Sequence, residues 1–392
     1  LLRKSQTFSI MKFFQFREQL FRRRQTNNGA HQTDLLDLKC AGLSDEKLFK
    51  QILRKLQKNK HVKKVDLFGN SLADGVIPLA MMLSSNKSIR SLKLDQNRMS
   101  CANLAAIALG LQTNSTIEEC TFDFNHIGPA GAKAFAKMLC SNDSITNISF
   151  RFNRIGSDGA EGFAKMLRVN KTIKRITLRG NGIGNQGAIA IMKALKENTT
   201  VEYIDLSFNE FQGRIVAVAL MDLLVSNHTM KVFRLWDNAI GNGAIIAKGL
   251  SQNRGLESLY LGKNGIDDDG TTALAVALER NKTLKTICLY QNKIGTKGIT
   301  ALASGLERNF TLENLQIDGC EGDDEDERET AYCAAIKKID HLLRLNLSGR
   351  ANIYMNDSSL PHSLWAYVFA RVSEQPDVLY SFLQTKPDLF IS

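Results

Sequence analysis

The sequence predicts an α/β solenoid, a right-handed coil of short parallel strands and helices, on three observations. Asparagines recur at Asn70, Asn97, Asn125, Asn153, Asn181, Asn209, Asn238, Asn264 and Asn292, spaced 26 to 29 residues apart. Ahead of each lies a pair of apolar residues one position apart: Val65/Leu67, Leu92/Leu94, Cys120/Phe122, Ile148/Phe150, Ile176/Leu178, Ile204/Leu206, Phe233/Leu235, Leu259/Leu261 and Ile287/Leu289. That alternation is the mark of a short strand with one buried face. Behind each asparagine comes an apolar residue, often Gly-x-x-Gly-Ala, and then apolar residues at helical spacing, as in Ile155-Gly156-Ser157-Asp158-Gly159-Ala160 leading to Phe163, Met166 and Leu167. One strand and one helix cannot close a core alone, so successive units must stack and bury their shared apolar faces.

Taken in order, residues 1–33 hold seven cations (Arg3, Lys4, Lys12, Arg17, Arg22, Arg23, Arg24) against Glu18 alone. Residues 11–24 are both basic and aromatic. They suit a membrane-surface or organelle-targeting helix, a cap over the first unit, or a linker from an upstream domain. The regular pattern then degrades at both ends, as terminal repeats do. Leu36-Asp37-Leu38 has Ala41 at the asparagine position, Leu315-Gln316-Ile317 has Cys320 there, and Leu345-Asn346-Leu347 has Arg350. The acidic run from Glu321 to Glu327 reads as a solvated enlargement of a turn. Beyond residue 355, Leu364, Trp365, Val368, Phe369 and Val372, then Val378, Leu379, Phe382 and Leu383 after Pro376, fall at helical spacing. The expected organisation is a basic segment over 1–33, a solenoid of about 12 units over 34–354, and a helical cap over 355–392. Within the cap, residues 360–365 faintly resemble the opening of an F-box.

The pattern L-x-x-L-x-L-x-x-N-x-I-G-x-x-G-A, at a period of roughly 28 residues, resembles leucine-rich repeats of the ribonuclease-inhibitor type over about residues 34 to 350. Similar arrays form ribonuclease inhibitor, the sensing region of NOD-like receptors and the GTPase-activating protein of Ran. The resemblance implies a leucine-rich-repeat horseshoe: a right-handed β/α solenoid with a curved parallel sheet on the concave side and helices outside. It spans inhibitor, receptor and catalytic-cofactor roles, so fold alone does not choose a function.

Composition removes several classes. No apolar run approaches the ~18 residues of a spanning helix. The net charge is +11, of which residues 1–33 supply +6, leaving +5 on the remainder with acids and bases interleaved. A phosphate-tracking stripe is therefore not expected, nor is nucleic acid as a partner. The seven cysteines are scattered without C-x-x-C spacing, which argues for reduced thiols in an intracellular, cytoplasmic setting, or in an organelle if residues 1–33 are a targeting sequence. Cys120, in a strand leucine position, reads as a small buried hydrophobe. Gly182-Ile183-Gly184-Asn185-Gln186-Gly187 satisfies G-x-G-x-x-G, but Gly156/Gly159 and Gly295/Gly298 hold the same two places in other units, so the repeat accounts for it. N-x-Ser/Thr occurs at Asn86, Asn114, Asn142, Asn170, Asn198, Asn227, Asn281 and Asn309, each just after a helix. These read as helix C-caps in the left-handed conformation rather than sugar acceptors. The six histidines never approach one another or a cysteine at metal spacing, and no G-x-S-x-G elbow occurs. No catalytic residue, metal ligand, cofactor or small-molecule substrate is expected. The Ran-activator resemblance would need an arginine on a rim turn, where Arg98 and Arg154 stand.

In such strands the residues between and after the apolar pair project from the concave surface. The first row runs Asp66, Lys93, Thr121, Ser149, Thr177, Asp205, Arg234, Tyr260, Cys288 and Gln316. The second runs Phe68, Asp95, Asp123, Arg151, Arg179, Ser207, Trp236, Gly262, Tyr290 and Asp318. Trp, Tyr and Arg dominate binding energies because they desolvate large areas at small entropic cost. Arg234, Trp236, Tyr260 and Tyr290 are therefore the candidate protein-binding residues, with Arg151, Arg175 and Arg179 as an electropositive flank. A tryptophan there either meets a partner or packs on the adjacent strand. The sequence thus suits a non-enzymatic module that binds a protein on its concave face; a structural subunit of a larger assembly is the alternative, and a GTPase-activating cofactor or F-box-type adaptor lies further off. Membrane contact is expected only through residues 11–24.

Overall fold

A computed structural model describes residues 34–43, 46–72, 75–318 and 326–348. The expectations placed on 1–33, on the acidic run 321–325 and on 355–392 lie outside the described residues. The chain divides into two compact units, one ending at Gln212 and the other beginning at Gly213.

In the first unit seven three-residue strands run parallel in chain order: β1 (Leu35–Asp37), β2 (Lys64–Asp66), β3 (Ser91–Lys93), β4 (Glu119–Thr121), β5 (Asn147–Ser149), β6 (Arg175–Thr177) and β7 (Tyr203–Asp205). Register is constant. Leu36, Val65, Leu92, Cys120, Ile148, Ile176 and Ile204 pair in line, each the first residue of its apolar pair. The second unit holds β8 (Val232–Arg234), β9 (Ser258–Tyr260), β10 (Thr286–Cys288) and β11 (Asn314–Gln316), aligned through Phe233, Leu259, Ile287 and Leu315. A helix follows every strand, so each unit is a leucine-rich-repeat type α/β solenoid.

The core lies between strands and helices and is continuous within a unit. Phe122 and Phe150 stack at 5.0 Å between centroids, and Phe135 meets both edge-on at 5.2 and 5.3 Å. Such offset and edge-on pairs are the favourable ring geometries. Cys120 is fully buried, as its leucine position requires.

The repeated asparagines do what their spacing suggests. Asn125 Nδ2 donates to the carbonyls of Leu94 and Phe122, at 3.0 and 2.9 Å, while its Oδ1 accepts from the amides of Asn97 and Met99, both at 2.9 Å. One buried side chain thereby satisfies main-chain groups of its own turn and of the preceding one, which would otherwise lack partners.

The asparagines after the helices form a second ladder, by a different means from the one expected. Asn86, Asn170, Asn198 and Asn281 are extended at φ between −69° and −80°, not left-handed. The side chain itself makes the turn: Asn170 Oδ1 accepts from the amides of Thr172 and Ile173, and Nδ2 donates to the carbonyl of Leu139 at 2.7 Å. The eight post-helix asparagines of N-x-Ser/Thr named above are each at most 5% exposed, so in the folded chain none of them presents its amide to a glycosyl donor. Left-handed backbone appears instead on the residue just before each strand-exit asparagine, among them Gln96, Phe124, Phe152, Gly180, Phe208, Asp237, Lys263 and Gln291.

Leu345-Asn346-Leu347 departs from the repeat reading. These residues are the last turn of a helix, Asp326–Leu347, because a short apolar run fits either period and this one continues a helical face. Asn346 nonetheless continues the outer ladder, with Nδ2 donating to the carbonyls of Asn309 and Leu312 at 3.1 and 2.8 Å. At the G-x-G-x-x-G sequence, a Cβ on Gly187 would meet Ile183 Cγ2 at 2.5 Å and Ala160 Cβ at 2.8 Å, so close helix packing accounts for that glycine.

Candidate functional site

The two rows expected to face outward do so unevenly. Lys93, Arg151 and Arg175 are exposed, but Asp66, Thr177, Asp205, Ser207, Gly262 and Cys288 are buried. Those six are unavailable to a partner; Lys39 Nζ lies 3.4 Å from Asp66 Oδ2, and the Trp236 ring lies against Gly262. Among the described residues no three His, Cys, Asp or Glu side chains are placed to hold a metal ion, and no helix is long and apolar enough to cross a membrane.

In the first unit the strand face changes sign along its length. Asp95 accepts from Thr121 Oγ1 at 2.9 Å and from the amide of Asp123 at 2.7 Å. Asp123 repeats the arrangement one strand on, accepting from Ser149 Oγ at 2.6 Å and the amide of Arg151 at 2.7 Å. Burial pushes the Asp95 carboxyl up to about 6 against the opposing hydrogen bond from the Asp123 amide, and the Asp123 charge adds to the rise. Beyond this acidic pair the face becomes basic. Arg151 Nε lies 3.9 Å from Asp123 Oδ2, a loose contact that leaves the guanidinium largely in solvent. The Arg175 guanidinium sits over the Tyr203 ring, 4.1 Å from its centroid, and Arg179 lies 4.3 Å from the centroid of Phe208. Asp95, Asp123, Arg151, Arg175 and Tyr203 line one open depression of about 270 Å³. Its walls hold Arg151, the stacked Arg175 and the two hydrogen-bonded carboxylates.

In the second unit the Arg234 guanidinium lies 4.5 Å from the centroid of Tyr260. The Trp236 indole packs against Gly262 of the next repeat: a Cβ there would meet Trp236 Cδ1 at 2.2 Å and Nε1 at 2.4 Å. Of the two readings of this tryptophan, packing on the neighbour is therefore realised, while the side chain stays half-exposed. Tyr260 and Tyr290 are also half-exposed, and Lys263 Nζ donates to Asp237 Oδ2 at 2.8 Å beside them. Arg151 and Arg175 thus share one depression, and Arg234, Trp236 and Tyr260 belong to adjacent repeats of the other unit.

Sequence reasoning missed Tyr203, the platform under Arg175, because it opens its strand instead of following the apolar pair. It also missed Phe124, Phe152 and Phe208. Their signal was present: an aromatic directly before the repeat asparagine, in Phe122-Asp123-Phe124-Asn125 and again one unit on.

Repeats in register, a strand and a helix to each, and paired asparagine ladders together define a leucine-rich-repeat fold. Family models agree: residues 41–159 match the TMOD/LMOD Leucine-rich domain, and residues 169–192, 197–217 and 252–275 match the Leucine Rich repeat. No curated protein matches the chain. Similar solved structures include leiomodin-1 actin-binding site 2, 21% identical, covering 40% of this chain and 77% of that one, with a TM-score of 0.29. An internalin from Listeria monocytogenes is 16% identical, covers 69% of each chain and has a TM-score of 0.42. The tropomodulin C-terminal domain of Caenorhabditis elegans is 12% identical, covering 48% of this chain and 98% of that one, with a TM-score of 0.29.

Proposed function

We propose that this chain is a non-enzymatic, intracellular interaction module of the ribonuclease-inhibitor repeat type, which takes a protein partner on the exposed face of its strands. The observation that carries the reading is the set of guanidinium groups held over aromatic rings: Arg175 on Tyr203 and Arg179 on Phe208 in one unit, Arg234 on Tyr260 in the other. An arginine held on a ring has lost much of its rotamer freedom before any partner arrives, so less entropy is lost on binding. Aromatic and arginine anchors of this kind carry most of the energy of protein interfaces.

The test is crosslinking mass spectrometry on native complexes, followed by affinity measurement with the identified partner; actin, the protein named with leiomodin-1 above, belongs in the panel. Crosslinks should fall on strand-face lysines such as Lys93. Trp236→Ala should weaken capture by on the order of 2 kcal/mol without unfolding the chain. Unchanged capture by Trp236→Ala and Arg175→Ala together would overturn the proposal.

A further inference from the structure

The residue before each strand-exit asparagine has a positive φ, a conformation that glycine takes freely and that is unfavourable for a bulky side chain. In the first unit three of these places hold phenylalanine: Phe124 at φ 55°, Phe152 at 51° and Phe208 at 58°. Burial does not explain the choice, since Phe124 and Phe152 are 49% and 39% exposed. The rings nevertheless form a connected ridge. Phe124 and Phe152 stack at 4.8 Å, and Phe152 reaches Phe208 at 6.4 Å. Gly180, at the same place in the intervening unit, makes room: a Cβ there would meet Phe152 Cδ1 at 2.5 Å. Exposed apolar rings in a backbone conformation that disfavours them are the sort of local cost that accompanies a binding role.

The charge beside the ridge indicates what it binds. Arg179 lies over Phe208 and 5.7 Å from the centroid of Phe152. Arg98 and Arg154, each following a strand-exit asparagine, are exposed, as is Arg151. Asp95 and Asp123 on the neighbouring strand face are already engaged by hydroxyl and amide donors, whereas Glu210, at the place Arg154 holds in its own repeat, is exposed beyond Phe208, so the basic flank is that of Arg98, Arg151, Arg154 and Arg179. We infer that the strand-exit edge of the first unit is a docking ridge for an acidic protein segment carrying aromatic or long aliphatic side chains, which lay their apolar groups on Phe124, Phe152 and Phe208 and their carboxylates on the flanking arginines. This rests on the reading of the chain as a protein-binding module and adds a contact outside its strand face.

The test uses the whole chain and a short fluorescent peptide alternating glutamate with phenylalanine and leucine. Phe124→Gly and Phe152→Gly remove the rings at positions that favour glycine, so both variants should melt no lower than the parent while losing peptide affinity by on the order of tenfold. Replacing the peptide's glutamates by glutamine should also weaken binding. Full affinity in both glycine variants overturns the inference, as does failure of the parent to bind the peptide. Ridge-dependent binding of single-stranded oligouridine in place of the peptide overturns it in favour of a base-stacking surface. Parent dimers that the glycine variants dissociate in sedimentation would assign the ridge to a second copy of the chain instead. If strand-face crosslinks to a natural partner persist while the ridge variants change nothing, only the ridge is refuted.

Discussion

Asn170→Ala tests the physics on which the stacking depends. The side chain is 4% exposed and serves four main-chain groups, three of them closely: it donates to the carbonyl of Leu139 at 2.7 Å and more loosely to that of Asn142 at 3.3 Å, and accepts from the amides of Thr172 and Ile173 at 2.9 and 2.8 Å. Alanine leaves the Leu139 carbonyl and the Ile173 amide buried without partners, and each such group costs about 1–3 kcal/mol. Water reaching the half-buried Thr172 spares the third. The expected loss is therefore roughly 3–4 kcal/mol, large for one polar side chain. Asn170→Asp is the companion variant: it keeps both acceptor contacts, loses the donor and sets a carboxylate against the Leu139 carbonyl, so it should be no better than alanine. Urea unfolding, followed by circular dichroism and by tryptophan fluorescence, measures both. Because repeat arrays lose cooperativity when one interface weakens, the two probes should also separate in the variants. A loss below about 1 kcal/mol with coincident transitions would refute the claim that this ladder holds neighbouring turns together.

Asp95 gives a pH prediction. Its carboxyl is raised to about 6 from an ordinary value of 3.8, so the folded state binds the proton more tightly than the unfolded state. The stability this confers is fully present below pH 3.8 and is lost as pH rises through 6, an effect of order 2–3 kcal/mol when the group is isolated. Asp95→Asn should accordingly stabilise the chain at neutral pH and flatten the urea midpoint between pH 4 and 7; an unchanged pH profile would refute the assignment. Gly262→Ala should destabilise the second unit and shift the emission of Trp236, because the added methyl occupies space the indole fills; native-like fluorescence and stability would contradict that packing.

Legibility in the sequence followed from stacking. When every unit packs on a copy of itself, the same environment recurs at each position, so the strand residues, their register and the inner asparagines were all readable from spacing. Departures arise where one neighbour differs from the next. Asp66 and Gly262 occupy places that alternation marks as outward, yet Lys39 lies over the first and Trp236 against the second, both from adjacent turns. The outer asparagines looked like left-handed helix caps because residue type and position fit that motif; the side chain's own turn, which lets the backbone stay extended, left no separate trace. Leu345-Asn346-Leu347 satisfied the strand spacing while belonging to a helix, since three residues cannot distinguish the two periods. The candidate arginines were visible as residue types, but the rings beneath Arg175 and Arg179 come from strand-entry and turn positions that a reading of two outward rows does not sample.

The inner ladder has a direction. Asn125 serves Leu94, Asn97 and Met99, all of the turn before it, so each turn is completed by the one that follows in the chain. On the ribosome a newly emerged turn would keep buried amides and carbonyls unsatisfied until the next asparagine leaves the exit tunnel, and folding should trail synthesis by one repeat. Loss of turns is unequal for the same reason. Beyond the strand-pairing bonds lost in either case, shedding one from the amino-terminal side frees on this ladder a side-chain amide that can rotate to water, whereas shedding one from the carboxy-terminal side strips the ladder's partners from main-chain groups already enclosed. Fraying should therefore be costlier when it begins at the later end of a unit.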